Sequence, residues 1–439
     1  MIFILNILLI INAYIAYKYF KNIVSPPFLL GSGMLLASFM ATSYYKEWDM
    51  NDMLFQSVYL IGGGCIFFTL SCIFFSKIFK SQQLNAPASF NHKFNIQRIR
   101  LFYIFSIFIG IVGIILKLHC MKSQFGSIGL SELIVAKRMD QWNGDNTLKI
   151  PPIIRQMGSF TSVVSFFTMW LYSIIIITKD KYLKKISLLI KLHLCITFFD
   201  GMLSGSKAPI LGLVVLFGVM YFYNYYAKLG KFYISKKLFF RFAILLILLA
   251  LSFRGLSLLI GRNVSERTNI DLLAEYCGAQ IKNFDIYLHE NPNKTKTKVW
   301  GENSFINFYT DIYPQKFTAE PDVFQFVNNH SLGNVYTLFK PYHQDFGNMG
   351  VFMMSLFIAF VSMFFYTKST YTFKNPTQIN ANLIIYSTMA MSLFMGFFSS
   401  RFTESICRPG WIRTVIYIFI LVWIVNSFFI NHTIKNENK

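Results

Sequence analysis

The stretch LFYIFSIFIGIVGIILKL (101–118) decides the fold class, because Lys117 is its only charged residue. A helix needs about 20 mostly apolar residues to cross the hydrocarbon core of a bilayer. Lipid offers no hydrogen-bond partners to backbone amides, so such a run must be helical. Similar runs recur along the 439 residues, of which 54% are hydrophobic and 14% are charged. The sequence therefore predicts an all-α polytopic integral membrane protein, with residues 1–439 forming a single domain.

We predict eleven transmembrane helices, with bounds uncertain by about 2–4 residues. They lie near residues 2–20, 27–44, 53–75, 101–118, 158–178, 186–204, 208–226, 238–259, 350–366, 381–398 and 411–430. The alternating apolar pattern of an outer-membrane barrel strand is absent from the sequence.

The net charge of +21 is distributed unevenly between alternate loops. With the N-terminus outside, the inner loops and tails carry twenty Lys and Arg residues, opposed only by Asp180 and Glu437. The outer segments are nearly balanced, with eighteen acids against twenty bases. This segregation follows the positive-inside rule. The excess charge therefore indicates membrane topology rather than nucleic-acid binding, and it predicts that the long loops lie outside the cytoplasm.

Two longer outer segments are predicted, at 119–157 and at 261–346. The second is a polar insert of roughly 80 residues, and it contains much of the polar chemistry of the chain. Within it, Leu273, Cys277, Ile281 and Phe284 recur at helical spacing. We therefore predict an amphipathic helix near 270–290, lying on the membrane surface or on the spans.

Cofactor motifs are missing from the sequence. It contains no Walker phosphate loop, HExxH, Asp-x-Asp or Gly-x-Ser-x-Gly, and no zinc-like Cys/His spacing. We predict no metal and no cofactor. Cys120, Cys277 and Cys407 lie at or beyond outer span ends, where a disulfide is possible in an oxidising compartment, and the pairing stays open.

Several basic residues near the outer span ends favour an anionic substrate. A charge within the hydrocarbon is costly unless it is paired or hydrated, which singles out Arg254. One guanidinium group can bind two phosphate oxygens at once. Several cations that converge from different spans would therefore suit a diphosphate at membrane depth. The alternatives are snorkelling to lipid headgroups and, for Arg254, a structural ion pair. The candidate diphosphate ligands are Lys207, Arg254, Arg262, Arg401 and Arg408.

Three residues are candidate catalytic acids or bases. Glu404 lies between Arg401 and Arg408 near a span end, and His343 and Asp345 lie in the segment PYHQDFG (341–347). A positioned carboxylate or imidazole accepts a proton from an attacking hydroxyl. A structural role is the alternative for each of the three.

The layout and two short motifs resemble the bacterial O-antigen (oligosaccharide repeat-unit) polymerase family. The layout is about eleven spans with a large outer loop late in the chain. The motifs are SGSK (204–207), in a tight outer turn, and NVYTLFKPYHQDFGNMG (334–350), which leads into the next span. Lys207 stands where such proteins often have Arg, which keeps the charge but loses the bidentate fork.

The resemblance implies a GT-C-like glycosyltransferase in the bacterial inner membrane, with its long loops in the periplasm. It implies that undecaprenyl-diphosphate-linked oligosaccharides are both donor and acceptor, and that a chain-length regulator is a possible partner. The basic residues would bind the diphosphate, and Glu404, Asp345 or His343 would accept the proton. The aromatic residues Trp300, Phe305, Tyr309 and Tyr313 contact sugars or form the core of the loop.

Two other functions are compatible with parts of the pattern. An O-antigen ligase, or another lipid-donor glycosyltransferase, has a similar layout and differs in its acceptor. A lipid-linked oligosaccharide flippase is expected to carry ionisable residues through the middle of the membrane and to have short loops on both sides. The charges of this chain cluster instead at outer span ends, and one outer loop is long.

Overall fold

A computed structural model describes residues 1–80, 84, 86–90, 94–142, 147–259, 261, 268–293, 297–317, 322–374, 376 and 378–430. Within these residues the protein is mostly helical. The helices are α1 (Ile2–Phe20), α2 (Pro26–Ser43), α3 (Phe55–Val58), α4 (Gly64–Phe79), α5 (Ile96–Phe125), α6 (Leu130–Trp142), α7 (Pro152–Thr178), α8 (Lys181–Lys184), α9 (Ser187–Met202), α10 (Ala208–Leu229), α11 (Lys236–Leu251), α12 (Phe253–Leu259), α13 (Asn269–Cys277), α14 (Ala279–Glu290), α15 (Ile306–Ile312), α16 (Phe339–Ser369), α17 (Ala381–Phe394), α18 (Arg401–Ile406) and α19 (Pro409–Ile424). Two short strands, β1 (Gln325–Val327) and β2 (His330–Gly333), lie in the large loop.

Each predicted span coincides with helical structure, which confirms the membrane class. Seven helical segments in the described residues are long and apolar enough to cross a membrane. Another, Ala381–Phe397, is apolar but shorter. The predicted span 238–259 consists of two helices, α11 and α12, with a break at Ser252. The count of eleven spans stays a prediction. The seven segments are Ile2–Phe20, Phe55–Phe79, Ile96–Phe125, Pro152–Thr178, Pro209–Leu229, Phe339–Phe373 and Pro409–Phe429.

Glycines permit close helix contacts near the start of α16 and the end of α17. A Cβ atom on Gly33 of α2 would lie 2.1 Å from the carbonyl oxygen of Phe394. A Cβ atom on Gly64 of α4 would lie 2.9 Å from the ring of Phe339. Small residues let helix backbones approach closely where apolar burial alone gives little drive for association. These contacts fix the ends of α16 and α17, which both border the site described below.

The first predicted loop, 119–157, is largely helical. α5 continues to residue 125, and α6 follows it before α7 begins at residue 152. α6 packs on the turn between α9 and α10, where Lys137 Nζ donates a hydrogen bond of 2.8 Å to the Leu203 carbonyl oxygen. Gly205 in this turn has φ 72°, a left-handed conformation that glycine adopts without strain.

α6 contacts both the turn between α9 and α10 and the start of the large loop. The turn and the loop therefore lie on one side of the bundle. A Cβ atom on Gly205 would lie 3.3 Å from the Ile134 side chain. A Cβ atom on Gly261, where the large loop begins, would lie 2.4 Å from Val135. We call this side of the molecule the loop side.

The amphipathic helix predicted at 270–290 is two helices, α13 and α14, which break at Gly278. Thr268 begins α13 with a capping box formed with Asp271. A Cβ atom on Gly278 would lie 2.8 Å from the Ala41 backbone nitrogen of α2, so the chain at the break approaches the bundle too closely for a side chain. The helix therefore lies on the spans, as one of the two predicted alternatives states. Its polar face is covered as well, because Gln280, Asn283 and Asp285 have no exposed surface.

Asp285 attaches α14 to the start of the third span. Its Oδ1 accepts hydrogen bonds from the Leu54 backbone nitrogen, at 2.9 Å, and from the Ser57 hydroxyl. Lys282 Nζ lies 3.5 Å from the Asp285 Oδ2 atom and donates to the Asp49 carbonyl oxygen at 2.8 Å. Asp285 thus binds free donors at the N-terminus of a helix, where the first turn leaves backbone groups without helical partners.

The second half of the large loop is more open. β1 and β2 form an antiparallel hairpin whose turn residues, Asn328 and Asn329, both have positive φ, as two-residue hairpin turns require. α16 begins at Phe339 and kinks at Gly347, where φ is 68° and ψ is −161°. The predicted span at 350–366 is therefore preceded by two helical turns that extend into the loop.

All six cysteines are free thiols, so no pair among Cys120, Cys277 and Cys407 is bonded in this structure. Burial raises the pKa of Cys277 and of Cys407 to about 12 each, which keeps both thiols protonated.

Candidate functional site

A polar cavity of about 780 Å³ lies on the loop side of the bundle. Its walls are the loop segments around α15, the first turns of α16, and α18 with the residues just before it. Four basic and three acidic side chains line it, together with Ser, Thr, Asn and Gln side chains. The charged residues are Lys298, Lys316, Lys340, Arg401, Glu302, Asp322 and Glu404.

Two of the predicted site residues, Arg401 and Glu404, face each other in this cavity. Arg401 Nη1 lies 3.6 Å from Glu404 Oε2, and the two side chains are 30% and 22% exposed. The hydroxyls of Ser399 and Ser400 donate to the same carboxylate, at 3.3 and 3.0 Å. The carboxylate therefore stays partly open to a ligand while its neighbours fix its orientation.

Lys340 is a cavity residue that sequence reasoning missed. It lies in the first turn of α16, is 6% exposed and forms an ion pair with Asp322. Its ammonium also lies 3.7 Å from the ring centroid of Tyr336, a cation–π contact. Burial raises the pKa of Tyr336, so its hydroxyl stays neutral. The sequence did point to this segment, because Lys340 belongs to the motif 334–350.

The other two predicted catalytic residues, His343 and Asp345, are buried and do not line the cavity. Asp345 accepts hydrogen bonds from the backbone nitrogens of Asn303 and Ser304, at 3.1 and 2.7 Å, and from the Asn303 side chain at 2.8 Å. The Nδ1 atom of His343 lies 3.0 Å from the Tyr287 hydroxyl. These contacts favour the structural alternative for both residues, and their catalytic role stays a prediction that the structure does not test.

An apolar groove of about 570 Å³ lies next to the polar cavity. It is bordered by α2, α10, α11, α13 and the turn after α17, and its lining is almost entirely hydrophobic. Phe394, Met395 and Phe397 line the groove, whereas Ser399, Ser400 and Arg401 line the cavity. The short segment 394–401 thus passes directly from one to the other.

An aromatic pair marks the junction of groove and cavity. The rings of Tyr276 and Phe398 have centroids 4.6 Å apart. The Arg401 guanidinium carbon lies 5.5 Å from the Phe398 ring, and Lys207 Nζ lies 5.4 Å from the Tyr276 ring. Lys207 is only 4% exposed and precedes α10 in the tight turn. The structure therefore brings two of the five predicted diphosphate ligands to the same junction.

The remaining three predicted ligands are not part of this arrangement. Arg408 binds Asp311 of α15 with two hydrogen bonds, of 2.9 and 2.8 Å, so its guanidinium attaches the loop to the bundle. Arg254 is half-buried in α12 and lines neither the cavity nor the groove. Arg262 lies outside the described residues.

The four aromatic residues proposed for sugar contact mostly pack within the loop. Trp300 stacks on Phe305 with 5.9 Å between ring centroids, and it also contacts Phe346. Tyr309 packs against Phe317, which lines the cavity. Trp300 nevertheless keeps 69% of its surface exposed, and Tyr313 keeps 51%.

Comparison with protein-family models, with curated proteins and with solved structures finds no match. A functional assignment therefore depends on the chemistry of the site. Among the described residues, no group of three or more His, Cys, Asp or Glu side chains is arranged to bind a metal ion.

The arrangement matches the parts of an amphiphilic anion. The groove provides apolar surface at membrane depth, the junction provides two cations, and the cavity provides hydrogen-bonding groups and a partly exposed carboxylate. Tyr276, Phe398 and Lys340 are the additional residues of this arrangement. Tyr276 precedes Cys277 of the predicted apolar stripe, but nothing in the sequence links it to Phe398, 122 positions later.

Proposed function

We propose that the protein is a glycosyltransferase that joins lipid-diphosphate-linked oligosaccharide repeat units into O-antigen or a related surface polysaccharide. The observation that carries the proposal is the junction at Tyr276 and Phe398, where an apolar groove meets a polar cavity beside Lys207 and Arg401. A polyprenyl chain fits the groove, its diphosphate fits the cations, and its glycan fits the cavity. The cavity volume is within the range of about 300–1,000 Å³ that is usual for ligand sites.

The reaction proposed for this site is a single displacement at the anomeric carbon of the donor glycan. A hydroxyl oxygen of the acceptor sugar forms the new bond to that carbon, and the bond from carbon to the diphosphate oxygen breaks. The electron pair leaves with the diphosphate. Arg401 and Lys207 stabilise the charge that develops there, as preorganised cations do in a site of low dielectric constant.

Glu404 is the proposed general base. Its carboxylate is partly exposed in the cavity, and Arg401 lies beside it. The proton of the attacking hydroxyl passes to Glu404, which removes charge from the acceptor oxygen as the new bond forms. His343 and Asp345 are less suited to this role, because both are buried in contacts that support the loop.

The proposed location is the bacterial inner membrane, with the loop side in the periplasm. The positive-inside distribution of Lys and Arg supports this orientation. Undecaprenyl-diphosphate-linked glycans are the proposed donor and acceptor, membrane lipids surround the bundle, and a chain-length regulator is a proposed partner.

The test is deletion of the gene in the host, followed by gel analysis of its lipopolysaccharide. Polymerase loss should leave core carrying one repeat unit, and the wild-type gene should restore the ladder. Glu404→Gln should fail to restore it at normal protein level in membranes. The matched control is Glu132→Gln, because Glu132 is an exposed acid of α6 that lies outside the cavity.

Other outcomes would redirect the assignment. Core without any repeat would indicate a ligase or a flippase, and an unchanged ladder in the deletion strain would reject all three functions. Full restoration by Glu404→Gln would remove Glu404 from the mechanism.

A further inference from the structure

A second cleft, of about 320 Å³, lies between α5, α6, α7 and α9. It shares no lining residue with the cavity or the groove. One wall is α6, the helix that the sequence assigned to a loop. Its lining residues are Gly110, Gly113, Ile114, Lys117, Lys137, Ile150, Ile154, Arg155, Met157, Gly158, Thr161 and Asp200.

Three cations and one acid meet at the rim of this cleft. Lys117 Nζ lies 2.7 Å from Asp200 Oδ1, so this lysine already neutralises the carboxylate. Lys137 and Arg155 remain as an excess of two positive charges. An uncompensated charge near the low-dielectric interior is unfavourable, so the cleft favours an anion.

Lys137 is the most buried of the three cations, with 7% of its surface exposed. Its one hydrogen bond among the described residues goes to the Leu203 carbonyl oxygen, and an ammonium group has three donors. Burial, together with the positive charge of Lys117, lowers the pKa of Lys137 to about 8, and Asp200 opposes this shift. A bound anion would oppose this shift, because a nearby negative charge favours the protonated ammonium.

The floor of the cleft is apolar and lies between two membrane-length helices. Ile114 of α5 and Ile154 and Met157 of α7 provide its apolar lining, together with Gly110, Gly113 and Gly158. α5 packs closely at Gly113, where a Cβ atom would lie 3.2 Å from the Met157 side chain. On the same helix, Ile111 and Ile115 are 45% and 59% exposed, as expected of a face that contacts lipid. A cationic rim above a narrow apolar floor matches a phosphate that carries an acyl chain.

We propose that this cleft binds the phosphate of an anionic membrane lipid, with Lys137 and Arg155 as its ligands, while Lys117 stays paired with Asp200. The phosphate lies at the rim, where Arg155 is exposed and Lys137 is buried. The acyl chain lies along the apolar lining formed by Ile114, Ile154 and Met157. This site is separate from the proposed glycosyl-transfer site and does not depend on it.

The test uses the purified full-length protein in uncharged detergent. The temperature of half-unfolding is measured at pH 7 during titration with phosphatidylglycerol, phosphatidylcholine or inorganic phosphate. Phosphatidylglycerol should raise it in the wild type at low concentration. Arg155→Gln and Lys137→Gln should each weaken the apparent affinity about tenfold or more, because each removes a charged hydrogen-bond donor. Lys149→Gln is the control, since Lys149 is an exposed cation of the same loop outside the cleft.

The following results would contradict the proposal in part or as a whole. An equal response to phosphatidylcholine, or equal responses of Arg155→Gln and Lys149→Gln, would overturn it. Inorganic phosphate acting as well as the lipid would reduce the cleft to a free-anion site and overturn the lipid assignment. If Lys137→Gln does not fold, Arg155→Gln decides alone.

A pH series provides a second readout. The wild-type affinity should fall as pH rises above about 8, because Lys137 loses its proton there. Lys137→Gln should not show this decline, and a decline of equal size in that variant would overturn the role of Lys137.

Discussion

The two halves of the large loop hold their charges in opposite environments. In residues 268–293, Lys282 and Asp285 are buried, and their partners belong to the start of the third span. In residues 297–317 and 322–338, Lys298, Glu302, Lys316 and Asp322 line the cavity, and the Asp322 side chain is 49% exposed. Removing one partner of a buried ion pair strongly lowers protein stability, because the other charge stays buried without compensation. A half-exposed charge can instead exchange bound water for a ligand. The first half therefore anchors the loop, and the second half forms the wall of the site.

The largest expected effect is on the anchor. Asp285→Ala leaves the Lys282 ammonium buried without its carboxylate, which should lower the free energy of unfolding by about 3–5 kcal/mol. Thermal unfolding and limited proteolysis of the purified protein measure this loss. Glu290→Ala is the matched control, because Glu290 is an exposed acid at the end of the same helix. Equal stability of the two variants would contradict the assignment of α14 as an anchor.

Arg401→Ala tests the cavity, in contrast to the anchor at Asp285. It should slow polymer formation by about 10²–10³-fold, the usual cost of removing one donor to a developing anion, and should leave thermal stability nearly unchanged. The measurement is the rate of chain extension with lipid-linked repeat units in membranes. Arg413→Ala is the control, since Arg413 is exposed on α19 outside the cavity. A fall in stability like that of Asp285→Ala would place Arg401 among the anchors.

Asp345→Asn should have an intermediate effect. The amide keeps the shape but loses charged acceptance of the Asn303 and Ser304 donors, at an expected cost of about 1–3 kcal/mol in stability. Activity should follow the remaining folded fraction, and its pH profile should keep its shape. Normal stability combined with lost activity would instead return Asp345 to the list of candidate bases.

The smallest effect is expected from Arg408→Lys. Lysine keeps the charge but cannot form the two parallel bonds to Asp311. Because Arg408 is 39% exposed, the loss should be about 0.2–1 kcal/mol and should shrink with added salt. Thermal unfolding at low and high salt measures it, and a loss that does not depend on salt would argue against a screened ion pair.

The sequence predicted the helical membrane class, because length and apolarity are local properties of each span. It also singled out Arg401 and Glu404 together, and these lie in one cavity because they are three residues apart on one helix turn. It singled out His343 and Asp345 but not Lys340 from the motif 334–350, because it took this segment as a loop. As the first turns of α16, it directs Lys340 and Gln344, four residues apart, into the cavity.

Other features depend on distant partners that no local pattern contains. The polar face of α14 resembles a solvated surface in the sequence, but it is covered because Asp285 meets Leu54. The ring pair at the junction likewise joins α13 to the segment before α18. Such contacts follow from the packing of the whole bundle, so composition and spacing do not predict them.

The anchor also imposes an order on synthesis. Leu54 and Asp285 are 231 positions apart, and ribosomes add about 5–20 residues each second, so roughly 10–50 s separate their appearance. During that interval the first three spans are already made, while the Leu54 amide and the Ser57 hydroxyl still lack the carboxylate that binds them. We expect water to solvate this helix end until α14 emerges. The packing of α14 therefore completes the N-terminal part of the bundle only late in synthesis.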